Sequence, residues 1–280
     1  MELEEAREAF AAQGLGVCSI SYDRVEVLAH FAARKGITFP LLSDPGSEII
    51  RRFGLLNTTI PETDRRQYGI PHPGTFIINT EGIVLSKFFE EHFIHRVTMP
   101  TILARGLGME RAHRFATART DQVSVTALAP QERVRPGNRL TLTVEVTPAS
   151  GVHLYAPGAE GQGYHPVAFA VEAPPHCTVH APTYPPAGLL EIPGLGDRVP
   201  AYTDPIRILV DLSLGSRQDL ADALAAGRLA VHGRLWMQAC DERVCYPPQE
   251  VPLVWDLVLE APDTERVPEA LRRELAEGAM

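Results

Sequence analysis

The stretch Leu140-Thr-Leu-Thr-Val-Glu-Val-Thr147 alternates apolar and polar residues without a break. Successive side chains of a strand point to opposite faces, so this alternation describes a strand with one buried and one solvated face. Working outward, the same texture recurs at Val167, Phe169 and Val171, at Ile206, Ile208, Val210 and Leu212, at Val231, Gly233, Leu235 and Met237, and through Val251–Leu259. Short half-buried strands at regular spacing predict an all-β sandwich over residues 121–262, with one helix between Arg217 and Ala226. A further helix is expected in residues 263–280, where Val267, Leu271 and Leu275 fall on one face of Pro268–Glu277.

Residues 1–106 have a different texture. Leu3, Ala6 and Phe10 share a helical face, and Glu2, Glu4 and Glu5 sit favourably at the positive end of that helix, which Gly14-Leu-Gly16 closes. Val17-Cys-Ser-Ile20 reads as a short buried strand. Arg24 to Lys35 reads as an amphipathic helix closed by Gly36, and Ser47 to Phe53 as another closed by Gly54. After a polar insertion at 57–68, Thr75–Asn79 and Ile83–Phe89 flank the turn signal Thr80-Glu-Gly82, and Thr98–Leu107 is helical. Alternating helices and strands predict an α/β sheet. Residues 107–120 are basic, aromatic-poor and without period, and read as a linker.

The chain has 280 residues, 45% of them hydrophobic, enough for about two packed domains. Its formal charge of −9, with Lys and Arg scattered among acids, argues against a nucleic-acid partner. No run approaches the roughly 18 apolar residues that span a bilayer, so no membrane span is expected. The opening Met-Glu-Leu-Glu-Glu-Ala-Arg is the opposite of a basic, apolar signal peptide. Four cysteines are too few for a disulfide-built scaffold and leave the compartment unread.

Cys240 and Cys245 lie in the run Trp236-Met-Gln-Ala-Cys-Asp-Glu-Arg-Val-Cys-Tyr-Pro-Pro-Gln249. Two thiols this close can oxidise and reduce as a pair, provided that the backbone turns between them. Pro247 and Pro248 keep the segment from continuing a central strand. So short a ring stabilises by only about 2 kcal/mol. The spacing therefore leaves two readings open, a redox pair or a small brace at a strand end. Asp241 and Glu242 raise neighbouring thiol pKa values, Arg243 lowers them, and Tyr246 is placed to pack over the sulfurs. Cys18, inside an apolar strand, is expected to be a packed, inert thiol, and Cys177 a core or surface thiol without a partner. A metal site built from Cys240, Cys245 and two of His153, His165 or His232 lacks Cys-x-x-Cys or His-x-x-x-His spacing. Neither a metal nor a cofactor is expected.

Three segments carry a resemblance: Ser19-Ile-Ser-Tyr-Asp-Arg-Val-Glu-Val-Leu28, Gly36-Ile-Thr-Phe-Pro-Leu-Leu-Ser-Asp-Pro45 and Gly69-Ile-Pro-His-Pro-Gly-Thr-Phe-Ile-Ile-Asn79. In order and spacing, residues 1–106 resemble the redoxin group of the thioredoxin fold, the peroxiredoxins of the AhpC/TSA type. That resemblance implies a thioredoxin-like domain. Such families place a nucleophilic cysteine at the start of the helix after the first core strand, where the helix dipole favours a thiolate. The corresponding helix begins here at about Glu2, so the resemblance implies an incomplete domain without its first strand and catalytic-cysteine loop, through either an upstream start or truncation. Pro73 matches the cis-proline of the fold, which implies a cis His72–Pro73 peptide.

His153-Leu-Tyr-Ala-Pro-Gly158, Gly163-Tyr-His-Pro166 and Cys240–Gln249 resemble the amino-terminal, immunoglobulin-like domain of the thiol:disulfide interchange protein DsbD. Here the resemblance implies that Tyr155 and Tyr164 cap the cysteine pair. Together the two resemblances imply a thiol-disulfide oxidoreductase or peroxiredoxin-like antioxidant protein. Cys240 and Cys245 would pass electrons to a thiol/disulfide protein partner or to peroxide, outside the cytoplasm by the DsbD likeness or inside it otherwise. The alternative is a non-catalytic binding or scaffold protein with a degenerate thioredoxin-like domain and a structural disulfide.

Overall fold

The computed structural model describes residues 2–64, 68–89, 96–107, 112–160, 163–191, 198–265 and 268–271. The chain forms two compact units, Met1–Gly108 with Asp263–Met280, and Met109–Pro262.

In the first unit the expected amino-terminal helix is divided into α1 (Glu2–Glu5) and α2 (Arg7–Ala12), with Phe10 buried. Strand β1 (Ser19–Ser21) leads into helix α3 (Val25–Lys35), which Gly36 ends in the left-handed conformation, its amide donating to Ala32 O. Strand β2 (Leu41–Ser43) pairs with β1 in parallel. The buried Asp44 then starts α4 (Glu48–Arg52), its carboxylate accepting from the amides of Glu48 (3.0 Å) and Ile50 (2.9 Å). Acceptance of otherwise orphaned first-turn amides is what an N-terminal capping carboxylate supplies. Strands β3 (Gly74–Ile78) and β4 (Val84–Phe89) form the expected hairpin, followed by β5 (Arg96–Val97) and α5 (Met99–Leu107). A Cβ on Gly106 would stand 2.6 Å from Ile77 Cδ1, so glycine lets α5 approach β3 closely.

Among the described residues no ladder joins the β1–β2 pair to the β3–β4 pair. The core is small to match: Phe10, Leu28, Ile50, Ile77 and Ile102 are its buried apolar side chains among the described residues. Two expectations fail here. The strand read at Val17–Ile20 begins only at Ser19, and Cys18, expected to pack, is exposed. A two-stranded sheet offers too few neighbours to cover this segment, and Ile20 itself is 38% exposed. The His72–Pro73 peptide, expected cis, is trans. Trans is the lower-energy form by about 0.5–1 kcal/mol. The chain reaches β3 with trans geometry, His72 N–H donating to Leu55 O (2.7 Å) and Pro71 bridging Leu56. The segment after the second unit returns to α3, where Arg34 meets Asp263 (3.1 Å) and Glu265 (2.5 Å), and Lys35 also pairs with Asp263. Of the carboxy-terminal helix expected over Pro268–Glu277, Glu269–Leu271 form a 3₁₀ turn, and residues 272–280 lie outside the described residues.

The second unit opens inside the stretch read as a linker. Residues His113–Arg119 form strand β6, antiparallel to β7 (Val123–Ala129). A register shift between Arg114 and Ala116 breaks the two-residue period, which is why no strand was legible there. Then come β8 (Arg133–Val134), β9 (Asn138–Pro148), β10 (His153–Tyr155), β11 (Ala168–Glu172), β12 (Thr178–Val179), β13 (Gly188–Glu191), β14 (Arg198–Tyr202) and β15 (Ile206–Ser213). Helix α6 (Ala221–Ala226) precedes β16 (Arg228–Met237), β17 (Ala239–Cys240) and β18 (Gln249–Leu259). One sheet has the order β12-β15-β9-β7-β6 and a second β11-β16-β18-β8. Leu140, Leu142, Val144 and Val146 of the first sheet share one core with Val231, Leu235, Leu253 and Trp255 of the second, which makes the expected sandwich. Trp255 is fully buried, its indole N–H donating to Leu128 O (2.9 Å), and it packs edge-on to Phe169.

Candidate active site at the cysteine hairpin

A small third sheet, of order β13-β14-β10-β17, carries the cysteines. Strand β10 follows β9 of one main sheet and β17 follows β16 of the other, so this sheet forms where strands of both have run out. Alternation then sorts its side chains. Leu154 and Ala239 belong to the main core, whereas their neighbours Tyr155 and Cys240 join a separate cluster with Ala159 and Val199, against which Tyr164 and Leu190 pack. His153 lies directly opposite Cys240 in the β10–β17 ladder, and Cys240 directly opposite Cys245 in an isolated bridge. Residues opposed across a ladder share a face, so His153, Cys240 and Cys245 form one cross-strand row.

Cys240 and Cys245 are joined by a disulfide, with Cα atoms 4.1 Å apart. The turn that the spacing requires is made by Asp241. Its Oδ1 accepts from the amides of Arg243 (2.7 Å) and Val244 (2.8 Å), its Oδ2 accepts from the Tyr246 hydroxyl (2.7 Å), and its amide donates to Val244 O. This is an Asx turn braced by a phenol. The Tyr246 hydrogen bond and the two amides hold the Asp241 carboxyl below its usual range, and that same bond pushes the Tyr246 phenol up. Tyr246, expected over the sulfurs, therefore gives its hydroxyl to the turn and packs its ring against the main core.

Tyr155 reaches the disulfide instead, its hydroxyl 3.7 Å from Cys245 Sγ. A disulfide sulfur carries no hydrogen, so the phenol is the donor. Burial, then the neighbouring Tyr164, pushes the Tyr155 phenol up and keeps it protonated. Tyr164 stacks on Tyr155 with ring centroids 4.3 Å apart. The loop between them is closed by Val167 N–H donating to Tyr155 O (2.8 Å), and Gly163 takes φ +82° just before Tyr164. The two sulfurs sit in unequal surroundings: Cys240 is 1% exposed, whereas Cys245 is exposed to solvent.

Of the residues singled out in the sequence, Cys240, Cys245, Tyr155, Tyr164 and Tyr246 come together here. Pro73 belongs to the first unit, just ahead of β3. Of the histidines of the metal reading, His153 stands opposite Cys240, His165 is exposed in the loop after Tyr164, and His232 lies in the β11–β16–β18 sheet opposite Glu172 and Val254. Cys177 is half-buried against the main core, and burial raises its thiol pKa. In the sequence His153 figures only as a metal candidate and as the first residue of the segment His153–Gly158. Its place opposite Cys240 follows from strand pairing, which no local pattern announces.

Known proteins divide at the same place as the structure. Residues 1–87 match the AhpC/TSA family, and residues 124–252 match the family of the thiol:disulfide interchange protein DsbD, N-terminal. A Mycobacterium tuberculosis protein named as a peroxiredoxin is 36% identical over 84 residues, which is 28% of this chain and 50% of that protein. A Haemophilus influenzae peroxiredoxin-named protein is 31% identical over 86 residues, 31% of this chain and 54% of its own length. The chain thus spans about half the length of the curated relatives it matches. Among solved structures, the reduced DsbD amino-terminal domain of Neisseria meningitidis aligns at 18% identity and a TM-score of 0.28, over 42% of this chain and 75% of that one. The amino-terminal periplasmic domain of ScsB from Proteus mirabilis aligns at 15% identity and a TM-score of 0.35, over 52% and 49%. Residues 1–87 thus match the AhpC/TSA family and residues 124–252 the DsbD amino-terminal family, two separate likenesses within one chain.

Proposed function

We propose that this chain is a thiol-disulfide exchange protein whose working pair is Cys240 and Cys245, with Cys245 meeting the partner and Cys240 resolving the intermediate. The unequal exposure of the two sulfurs carries this reading: an incoming thiolate can reach Cys245 but not the buried Cys240. Reduction begins when a partner thiolate attacks Cys245 Sγ. A mixed disulfide forms, the Cys240–Cys245 bond breaks, and the electron pair leaves on Cys240, which takes up a proton. A second partner thiolate then releases Cys245, so that the partner dithiol is oxidised and the pair reduced. In reverse, the pair reduces a partner disulfide. The Tyr155 hydroxyl beside Cys245 supports its thiolate by donating to it. Cys18, the one cysteine of residues 1–108, lies exposed ahead of β1 and not at the start of a helix. Exchange is therefore assigned to the second unit. The partner class is a protein dithiol or disulfide, and no helix among the described residues is long and apolar enough to cross a membrane.

Titration of the pair against glutathione and dithiothreitol tests the proposal. A midpoint within roughly −270 to −120 mV is expected, whereas a pair that stays oxidised below about −300 mV is a brace, and the scaffold reading replaces this one. With a disulfide partner, Cys240→Ser should accumulate a mixed disulfide at Cys245, and Cys245→Ser should form none.

A further inference from the structure

One group in the cysteine row has no assigned role. His153 Nε2 is buried and has no hydrogen-bond partner among the described residues, although burial of an unpaired polar atom is unfavourable. The ring lies edge-on to Tyr155, centroids 5.3 Å apart, and its residue stands directly opposite Cys240. Opposed residues on one face of an antiparallel pair have Cβ atoms about 4.5–5.5 Å apart, within reach of an imidazole and a thiol. In the disulfide state Cys240 Sγ bears no hydrogen. In the reduced state its S–H is a donor, on a residue directly opposite His153.

We propose that His153 is the proton acceptor for Cys240, converting the buried resolving thiol to its thiolate during exchange. This rests on the exchange reading above. When the reduced pair meets a disulfide, Cys245 thiolate attacks it, forming a mixed disulfide and expelling one partner thiolate. Neutral His153, protonated on Nδ1 so that Nε2 is the acceptor, takes the proton from Cys240. Cys240 thiolate attacks Cys245 Sγ, the Cys240–Cys245 bond forms, and the bond from Cys245 to the partner breaks. The second partner thiolate leaves and is protonated from the imidazolium or from water. The pair has lost two electrons and the partner disulfide has gained them. The titratable groups around the ring are Cys240, Cys245 and Asp241 from the hairpin, Tyr155 on its own strand, and Tyr164 from the loop. Desolvation lowers the pKa of His153 and the charge of Asp241 raises it, the first being the larger, so the ring is neutral at rest and the Asp241 carboxylate is the group that favours its protonated form.

A buried acceptor matters because an ordinary thiol, of pKa about 8.5, is only about 3% thiolate at pH 7. The test mixes the reduced full chain with glutathione disulfide and follows, by acid quench and mass spectrometry, first the glutathione adduct on Cys245 and then its loss. His153→Gln keeps hydrogen bonding without proton acceptance, and His153→Phe keeps the ring shape. Both should slow resolution by about tenfold at pH 7, the thiolate fraction setting the ceiling. The deficit should close toward pH 9, where Cys240 ionises unaided, while adduct formation at Cys245 keeps its wild-type rate. Resolution at the wild-type rate at pH 7 in a folded variant overturns the inference, as does a deficit constant from pH 7 to 9, which would mean that the cysteine has been displaced. If the wild-type protein forms no adduct at all, the exchange reading itself falls.

Discussion

The two units treat their strands differently. In the second, apolar residues at every other position of β9, β15, β16 and β18 meet a facing sheet, and Leu142, Ile208, Leu253 and Trp255 are buried to within 1%. In the first, no ladder among the described residues joins the β1–β2 and β3–β4 pairs, and Ile20, Leu42, Val84 and Leu85 are 38–63% exposed. Alternation alone does not bury a side chain; a second layer does. The disulfide lies on the unit that has the second layer, which gives the cysteine hairpin a fixed floor in Leu154 and Ala239.

The sharpest way to break this contrast is to cut equal side chains from both units. Leu142→Ala should cost about 4 kcal/mol, because two facing sheets cannot collapse into the cavity, whereas Leu85→Ala on the exposed hairpin should stay within about 0.5 kcal/mol. Urea unfolding followed by tryptophan fluorescence, which reports on Trp236 and Trp255 of the second unit, for Leu142 and by circular dichroism for Leu85 measures both. Similar costs would show that the units are equally packed.

Next in size is the disulfide. Replacing Cys240 and Cys245 together with alanine should cost only about 2 kcal/mol, since the closed ring is short. A loss above about 4 kcal/mol in thermal unfolding would make the bond a brace of the sandwich rather than a device resting on it. Tyr155→Phe is smaller still. Removing the hydroxyl 3.7 Å from Cys245 Sγ should raise the Cys245 thiol pKa and slow its alkylation by iodoacetamide about two- to tenfold near pH 7, in keeping with a hydrogen bond of about 0.5–1.5 kcal/mol. An unchanged rate would leave Tyr155 as packing alone.

The last two expectations concern pH and are the mildest. The folded-state pKa of His153 is depressed, so the unfolded chain binds more protons near pH 6, and the second unit should lose stability as pH falls through the ordinary histidine value of about 6.5. His153→Gln should flatten that slope in urea midpoints measured from pH 5 to 8. In the first unit the opposite charge type acts. Lys35 and Arg34 hold the Asp263 carboxyl well below the usual range, so the docking of 263–265 contributes above about pH 4 and weakens as pH falls further. Limited proteolysis at decreasing pH should release this segment, and Arg34→Ala should release it at neutral pH. Protection that survives in Arg34→Ala would show that the ion pairs do not hold it.

By itself the sequence determined the strands β9, β11, β15, β16 and β18 of the sandwich, the helix ends at Gly36 and Gly54, the β3–β4 hairpin and the closeness of Cys240 to Cys245. Each of these depends on residues within one or two turns of one another: a two-residue period, a glycine free to adopt positive φ, a ring of six residues. Strand β6 escaped because a bulge breaks its period, and Cys18 and the trans His72–Pro73 bond were misread because they depend on which layers surround them. Only the tertiary structure decided that Cys240 is buried while Cys245 is open, that Tyr155 rather than Tyr246 touches the sulfur, and that His153 stands opposite the buried thiol. Those facts come from the register between β10 and β17, residues almost ninety positions apart, and pairing at that range is set by the packing of the whole sandwich rather than by any local pattern.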